Sequence, residues 1–395
     1  MSNDRALRVA LVGTAFMGRT HSHAWRTAAR FFPLPLEPEL AVLVGSNPET
    51  TRERAEVLGW SESSTDWRAV VERDDIDLID ICTPGDTHAE IAIAALEAGK
   101  HVLCEKPLAN SVEEAERMAA AARASDRVAM CGFSYRRTPA LALAKRFVDE
   151  GRLGAIRHVR AQYLQDWLRD SEAPLTWRLQ KDRAGSGALG DIGAHSIDTA
   201  QWLTGRRISS VSAVLRTFTT ERPVLAEQSG LGGHAEEGAE RGPVTVDDAV
   251  AFTAAFEGGA LGVFEATRVA TGRRNANRIE INGETGSIAF DFERMNELEY
   301  YDARDADEAQ GFRRIQVTEP AHPYMGAWWP TGHGIGYEHL FTHQVVDLVE
   351  AIAGGTPVAP TFDDALDVQR VLDAVSTSAG HNSESTSIAR GSGPV

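Results

Sequence analysis

The sequence predicts an α/β protein of two lobes: a doubly wound parallel sheet, then a second α/β lobe built on a mainly antiparallel sheet. Three observations carry this. The first third of the chain alternates short apolar runs with helical patterns, as parallel strands and their crossover helices do. After Pro139 the pattern turns to β-rich segments joined by turn signals such as Glu257-Gly258-Gly259 and Asn282-Gly283-Glu284. A length of 395 residues, 43% hydrophobic and 25% charged, suits two cored domains of roughly 100–250 residues each and excludes a disordered, collagenous or coiled-coil chain.

In chain order, Arg8–Val12 reads as a strand, Met17–Arg30 as a helix, Leu40–Val44 as a strand and Pro48–Leu58 as a helix with proline in its first turn. Leu78–Cys82 is a strand, and His88–Ala98 is a helix ended by Gly99. The strand His101–Cys104 precedes a helix opened by the capping box Ser111-Val112-Glu113-Glu114. Val128–Cys131 completes the first sheet. The second lobe reads as a helix followed by strands at Ile156–Tyr163, Ile208–Phe218, Ala249–Phe256, Ala260–Thr267, Arg278–Asn282 and Ser287–Phe290. Glu221–Gly242 is acidic, Gly-rich and aperiodic, the pattern of a loop, and Ser376–Val395 reads as an unstructured tail. The expected domains are therefore 1–132, 133–375 and a tail 376–395.

Forty Lys+Arg against 57 Asp+Glu give a formal charge of −17, which repels nucleic acid and anionic membrane surfaces. A helix N-terminus can still hold a small anionic cofactor locally. Cys82, Cys104 and Cys131 sit singly in apolar runs, the pattern of buried thiols in a reducing compartment. The first residues lack a basic stretch before an apolar run, and no apolar run approaches the ~18 residues of a membrane helix. The expectation is a cytoplasmic protein.

Gly13-Thr14-Ala15-Phe16-Met17-Gly18 follows the first strand and opens the first helix, the context in which G-x-G-x-x-G holds a pyrophosphate in a Rossmann fold. Ala15 replaces the second glycine. The second strand ends Gly45-Ser46-Asn47 without the carboxylate that usually binds the adenosine ribose. Ser46, Asn47 and Arg52 could surround a 2′-phosphate, or Asn47 could hold a ribose while Arg52 is solvated; NAD and NADP both stay open, with a lean to NADP. Thr83, Pro84 and His88, in Thr83-Pro84-Gly85-Asp86-Thr87-His88, lie at the carboxyl edge where ligands sit in such sheets. A plain Pro-Gly turn with Thr87 capping the helix accounts for Asp86 and Thr87 equally well.

Glu105-Lys106-Pro107 ends the next strand at the same edge and places a lysine where the nicotinamide half of a dinucleotide lies. A lysine there can hydrogen-bond a substrate hydroxyl, although an exposed Lys paired with Glu105 is the plainer reading. Lys-Pro also favours a cis bond more than other pairs do. Tyr135, Gln165 and Trp167 interleave aromatics with hydrogen-bonding groups, as carbohydrate sites do. Gly185–Gly190 runs into a helix carrying Asp191 and His195 four residues apart, with Asp198 on the same stripe. A carboxylate that orients an imidazole makes a general base for alcohol oxidation. A solvated Asp–His pair or a metal site are the competing readings, and no further spaced His/Cys ligands support a metal. His333, His339 and His343 form a second histidine group, read as the rim of a substrate site.

The segments GTAFMG (13–18), TPGDTH (83–88), CEKPL (104–108), YRRTP (135–139) and GDIGAH (190–195), in this order, resemble the glucose–fructose oxidoreductase / inositol dehydrogenase (Gfo/Idh/MocA) family. FMGRTHSHA, YRRTPALALAK, YLQDW and AGSGALGDIG are similar to its levoglucosan-oxidising branch, which acts on a sugar hydroxyl at C3. The resemblance implies a Rossmann domain, a C-terminal α/β domain with a large open sheet, and a homodimer or homotetramer assembled through that sheet. Lys106 matches the family's EKP lysine, Asp191 and His195 its Asp-x-x-x-His pair, and Tyr135, Gln165 and Trp167 its sugar pocket. Ala15, Gly85 and Gly45 depart from the usual Gly, Asn and acid. The expected function is NAD(P)-dependent oxidation of a secondary hydroxyl on a pyranose or anhydrosugar, with either His195 or Lys106 as base. Inositol or glucoside dehydrogenation, glycoside cleavage by oxidation and elimination, and a non-catalytic NAD(P) sensor are the alternatives.

Overall fold

A computed structural model describes residues 6–224, 227–229, 232–236 and 238–389. The chain divides into two units: residues up to Arg137 together with Ile335–Leu366, and Thr138–Gly334 together with Asp367 onwards.

In the N-terminal unit, β1 (Ala6–Val12), α1 (Phe16–Phe31), β2 (Glu37–Val44), α2 (Pro48–Leu58), β3 (Glu62–Ser64), α3 (Trp67–Val71), β4 (Leu78–Ile81), α4 (His88–Glu97), β5 (His101–Cys104), α5 (Val112–Ala124) and β6 (Ala129–Cys131) follow one another. The described strands form one parallel sheet in the order β3-β2-β1-β4-β5-β6. Its central strands are buried along their length, as expected when helices cover both faces. Strand order reverses between β1 and β4, the switch point at whose carboxyl edge ligands bind.

The single boundary expected near 132 differs from the observed division, because the chain returns. Arg137 reaches Asp347 (2.9 Å) and the Ala359 carbonyl (2.6 Å), and His343 Nδ1–H donates to Arg137 O (2.9 Å). Helix Tyr337–Gly354 is thereby held in the N-terminal unit, with Phe341 against His21 at 5.5 Å. Sequence order alone carries no sign of such a return.

The C-terminal unit opens with α6 (Pro139–Asp149), β7 (Ile156–Leu164), α7 (Lys181–Ala184), α8 (Ala194–Thr204) and β8 (Ile208–Arg216). Nine described strands make one mixed sheet, with β7 and Leu261–Thr267 its parallel pair and the other neighbours antiparallel. Alternation sets its faces: Val250, Phe252, Ala254 and Phe256 point into the core, with Phe252 stacked on Phe264 at 4.6 Å, while Ala251, Thr253 and Ala255 face out. Val214, Leu261 and Val263 are exposed on the same sheet.

Two expectations of irregular chain are corrected. Within 221–242 lie two short antiparallel ladders, Glu221–Pro223 with Arg241–Pro243 and Glu227–Ser229 with Gly232–His234. The supposed tail continues helix Phe362–Gly380 and adds the edge strand Thr386–Ser387 to β8; residues 390–395 lie outside the described residues. Ladder hydrogen bonds between backbones do not require the period-2 side-chain pattern by which strands are read. Among the described residues no helix is long and apolar enough to cross a membrane.

Candidate active site

The coenzyme cradle is built where β1 turns into α1. Gly13 has φ +118°, and a Cβ there would lie 2.6 Å from the Cys82 carbonyl oxygen, so this turn accepts glycine alone. α1 starts at Ala15 with no side-chain cap and no acid in its first turn. No acidic side chain of that turn competes for the early N–H groups around Phe16, Met17 and Gly18, which fits a bound pyrophosphate.

Two of the expected cofactor residues, Asn47 and His88, have structural duties. Asn47 Oδ1 accepts the Glu49 and Thr50 N–H groups and caps α2, while Ser46 and Arg52 are exposed. Arg54, not singled out by sequence, donates from Nη1 to Thr14 O (2.7 Å) and Thr14 Oγ1 (2.9 Å), tying α2 to the phosphate turn. His88 is buried, with Nε2 2.9 Å from Thr83 O and Nδ1 3.1 Å from Pro107 O; its ring holds the Thr83–Pro84 loop beside the Lys106–Pro107 turn. Thr87 does not cap α4; its hydroxyl lies 2.6 Å from Thr83 Oγ1.

Lys106 follows β5 and forms a cis bond to Pro107. Glu105 Oε2 accepts the Lys106 backbone N–H at 3.3 Å, and Oε1 lies 3.1 Å from His21 Nε2. Tyr135, in the turn Ser134–Arg137, is buried. Burial raises the Tyr337 phenol well above its ordinary pKa, and Tyr135 and Glu105 add to this, so it stays a neutral donor. His21 and Tyr337 were not among the sequence candidates.

In the C-terminal unit the structure links the expected residues through partners that sequence did not suggest. Asp191 lies on a π-helical turn, Leu189–Gly193, that runs into α8 and His195. Such turns concentrate at functional sites. Asp247 fixes the turn by accepting the Gly187 (2.7 Å) and Leu189 (2.8 Å) N–H groups; burial pushes its carboxyl up in pKa and these N–H groups oppose that. A Cβ at Gly187 would overlap the Asp247 carbonyl.

Arg268, fully buried, reaches Asp191 Oδ2 at 3.4 Å and places its guanidinium 5.6 Å from the Trp167 ring centroid. Trp167 Nε1–H donates to Gln165 Oε1 (3.1 Å), and Gln165 Nε2–H donates to Asn275 Oδ1 (2.9 Å). The Tyr163 hydroxyl donates to the same Asn275 oxygen (2.7 Å), and the Tyr163 ring lies 5.8 Å from that of His195. The run Asp191–Arg268–Trp167–Gln165–Asn275–Tyr163–His195 is continuous. Arg178, half-buried and 4.4 Å from the Trp177 ring, adds positive charge toward Asp191; burial lowers its pKa.

Of the second histidine group, His343 is no part of a rim. His343 is wholly buried, bonded to Arg137 O and edge-on to Phe32, and burial lowers its pKa to about 3. His339 accepts the Gly336 N–H on Nδ1 at the helix start, and His333 bonds Pro330 O in an exposed turn. A spacing of four residues puts two side chains on one helix face without telling which face is buried.

The NAD-binding Rossmann-fold model of the oxidoreductase family matches residues 7–133, and the GFO/IDH/MocA C-terminal domain model matches residues 141–289. A levoglucosan dehydrogenase of Pseudarthrobacter phenanthrenivorans is 46% identical over 380 residues, spanning 95% of this chain and 97% of that one. Among solved structures, an oxidoreductase domain protein of Kribbella flavida superposes with a TM-score of 0.93 at 61% identity, over 98% of this chain and 100% of that one. A levoglucosan dehydrogenase in complex with NADH and levoglucosan superposes at 0.92 and 44% identity over the same shares.

Proposed function

As the chain belongs to the Gfo/Idh/MocA family of oxidoreductases with an NAD-binding Rossmann domain, we propose that it oxidises a secondary hydroxyl, that at C3, of a pyranose or an anhydrosugar such as levoglucosan. The carrying observation is the continuous side-chain run from Asp191 to His195, which combines a carboxylate, an imidazole, an amide and an indole in one unit. An indole face stacks on sugar C–H groups, and amides read hydroxyls.

His195 takes the hydroxyl proton on a ring nitrogen, and Asp191, tethered by Arg268, favours the resulting imidazolium. The Lys106 amine hydrogen-bonds the sugar oxygen as negative charge builds on it. Tyr135, Gln165 and Trp167 hold the sugar, and His339 borders it. The dinucleotide, when bound, supplies the hydride acceptor. Gly13 and the first turn of α1 hold its pyrophosphate, with Thr83, Pro84 and Glu105 at the same sheet edge. NAD is favoured over NADP: Asn47 Oδ1 is engaged as a cap and Arg54 is engaged by Thr14, which leaves exposed Arg52 to meet a 2′-phosphate. The exposed apolar residues Val214, Leu261 and Val263 fit assembly of a homodimer or homotetramer through the large sheet.

The test is a screen of levoglucosan, glucose, glucosides and inositols with NAD+ and NADP+, following absorbance of the reduced coenzyme. The highest kcat/KM is expected for an anhydrosugar or pyranose with NAD+. A free aglycone without net reduced coenzyme would instead establish cleavage by elimination, and absence of turnover with every substrate would count against the proposed activity.

A further inference from the structure

We propose that His21 is a positioning residue for Lys106, its ring bridging two buried carboxylates so that Glu105 holds the lysine-bearing turn in place. This rests on the role assigned to Lys106 above. α1 carries His21 and Trp25 one turn apart on its buried face, β4 brings in Asp80, and the end of β5 brings in Glu105. His21 Nδ1 lies 2.9 Å from both Asp80 oxygens, and Nε2 lies 3.1 Å from Glu105 Oε1. Trp25 Nε1–H donates to Asp80 Oδ2 at 2.7 Å. A neutral imidazole has one N–H, so one carboxylate would face a ring lone pair; an imidazolium satisfies both.

The groups facing His21 are Asp80 and Cys82 from β4 and its end, Glu105 from β5, and the uncharged Phe341 ring. Burial is the largest single influence and opposes charge on the ring, but Asp80 and Cys82 together outweigh it, so the His21 pKa is raised well above its ordinary value. Glu105 has little freedom of its own: a Cβ at Gly132 would sit 2.5 Å from its Oε1, and its Oε2 accepts the Lys106 N–H. Losing the His21 charge leaves two buried acids without their shared cation, and removes one of the contacts by which Glu105 anchors the Lys106 turn. Because α1 also opens on the phosphate turn, one helix sets both the coenzyme cradle and the lysine turn.

His21, Asp80 and Cys82 also bring three metal-ligand atoms within 4.8 Å of one another. The direct Asp80 and Glu105 contacts already occupy both ring nitrogens, which favours the ion cluster.

The chain has four lysines, Lys100, Lys106, Lys145 and Lys181, so 13Cε-lysine labelling gives few NMR signals, with Lys106 assigned through Lys106→Arg. In His21→Gln the Lys106 signal and its titration midpoint are expected to shift while the other three signals stay in place. kcat should fall about 10–100-fold, the loss typical of a slightly misplaced group, with KM for sugar and NADH affinity changed less than about threefold. Glu105→Gln, in case His21→Gln does not fold, should move the same signal. An unmoved Lys106 signal in a folded variant overturns the proposal, as does displacement of all four signals together. Stoichiometric metal in the wild-type protein that is absent from His21→Gln overturns it too. Turnover retained by Lys106→Ala would remove the lysine from the reaction, while the NMR result would still decide whether His21 positions it.

Discussion

Each unit ties acidic residues to a buried cationic side chain next to candidate site residues, but the cations differ in kind. In the N-terminal unit Asp80 and Glu105 share the His21 imidazole; in the C-terminal unit Arg268 holds Asp191 and donates to the Asp247 carbonyl. A guanidinium is charged at every working pH, whereas an imidazole is charged only as far as its neighbours make it so. The lysine turn is thus held by a charge the fold must maintain, and the Asp191 turn by one that comes with the residue.

The largest effects should come from the groups these cations support. Lys106→Ala and His195→Ala should each lower kcat at least about 10³-fold, the upper range for a positioned acid–base group, while NADH fluorescence titration still shows binding. Near wild-type turnover in either would break the symmetry between the two units.

Removing the permanent cation comes next. Arg268→Met leaves the partly exposed Asp191 without its tether and the Asp247 carbonyl without its donor, and should cost about 1–3 kcal/mol in urea unfolding. A loss below about 1 kcal/mol would mean that Arg268 does not hold the turn.

The pH dependence separates two histidines within the N-terminal unit. His343 has its pKa lowered to about 3 by burial, so its contribution is full above the unfolded value near 6.5 and is lost as pH falls toward 3. His21, raised by Asp80, behaves oppositely: its contribution is present below about 6.5 and disappears as pH rises through its elevated folded value. Melting temperatures should therefore fall less steeply between pH 6.5 and 4 in His343→Gln than in the wild type. Equal slopes would contradict the burial argument.

The smallest effect is local to α2. Asn47→Ala removes two cap hydrogen bonds and should cost about 1 kcal/mol without switching the coenzyme to NADP. A switch would restore a direct cofactor role for Asn47.

Legibility in the sequence follows the range of the interaction. The turn at Gly13 and the parallel sheet were readable because glycine at positive φ and apolar periodicity are local properties. Asp191, His195, Gln165 and Trp167 stand out in the sequence by residue type, but the way they connect does not, since Arg268 and Asn275 lie 77 and 110 residues from the partners they serve. His21 and Arg54 act across similar gaps, and their own neighbours in sequence carry no trace of it. His343 was misread for a related reason: which face of a returning helix is buried depends on the unit it rejoins.

The most direct measurement uses levoglucosan carrying deuterium at C3, incubated with NAD+ and the purified protein. The label should appear on the reduced coenzyme, with turnover slowed by a primary isotope effect. Deuterium remaining on the sugar while the coenzyme is reduced would contradict oxidation at that carbon.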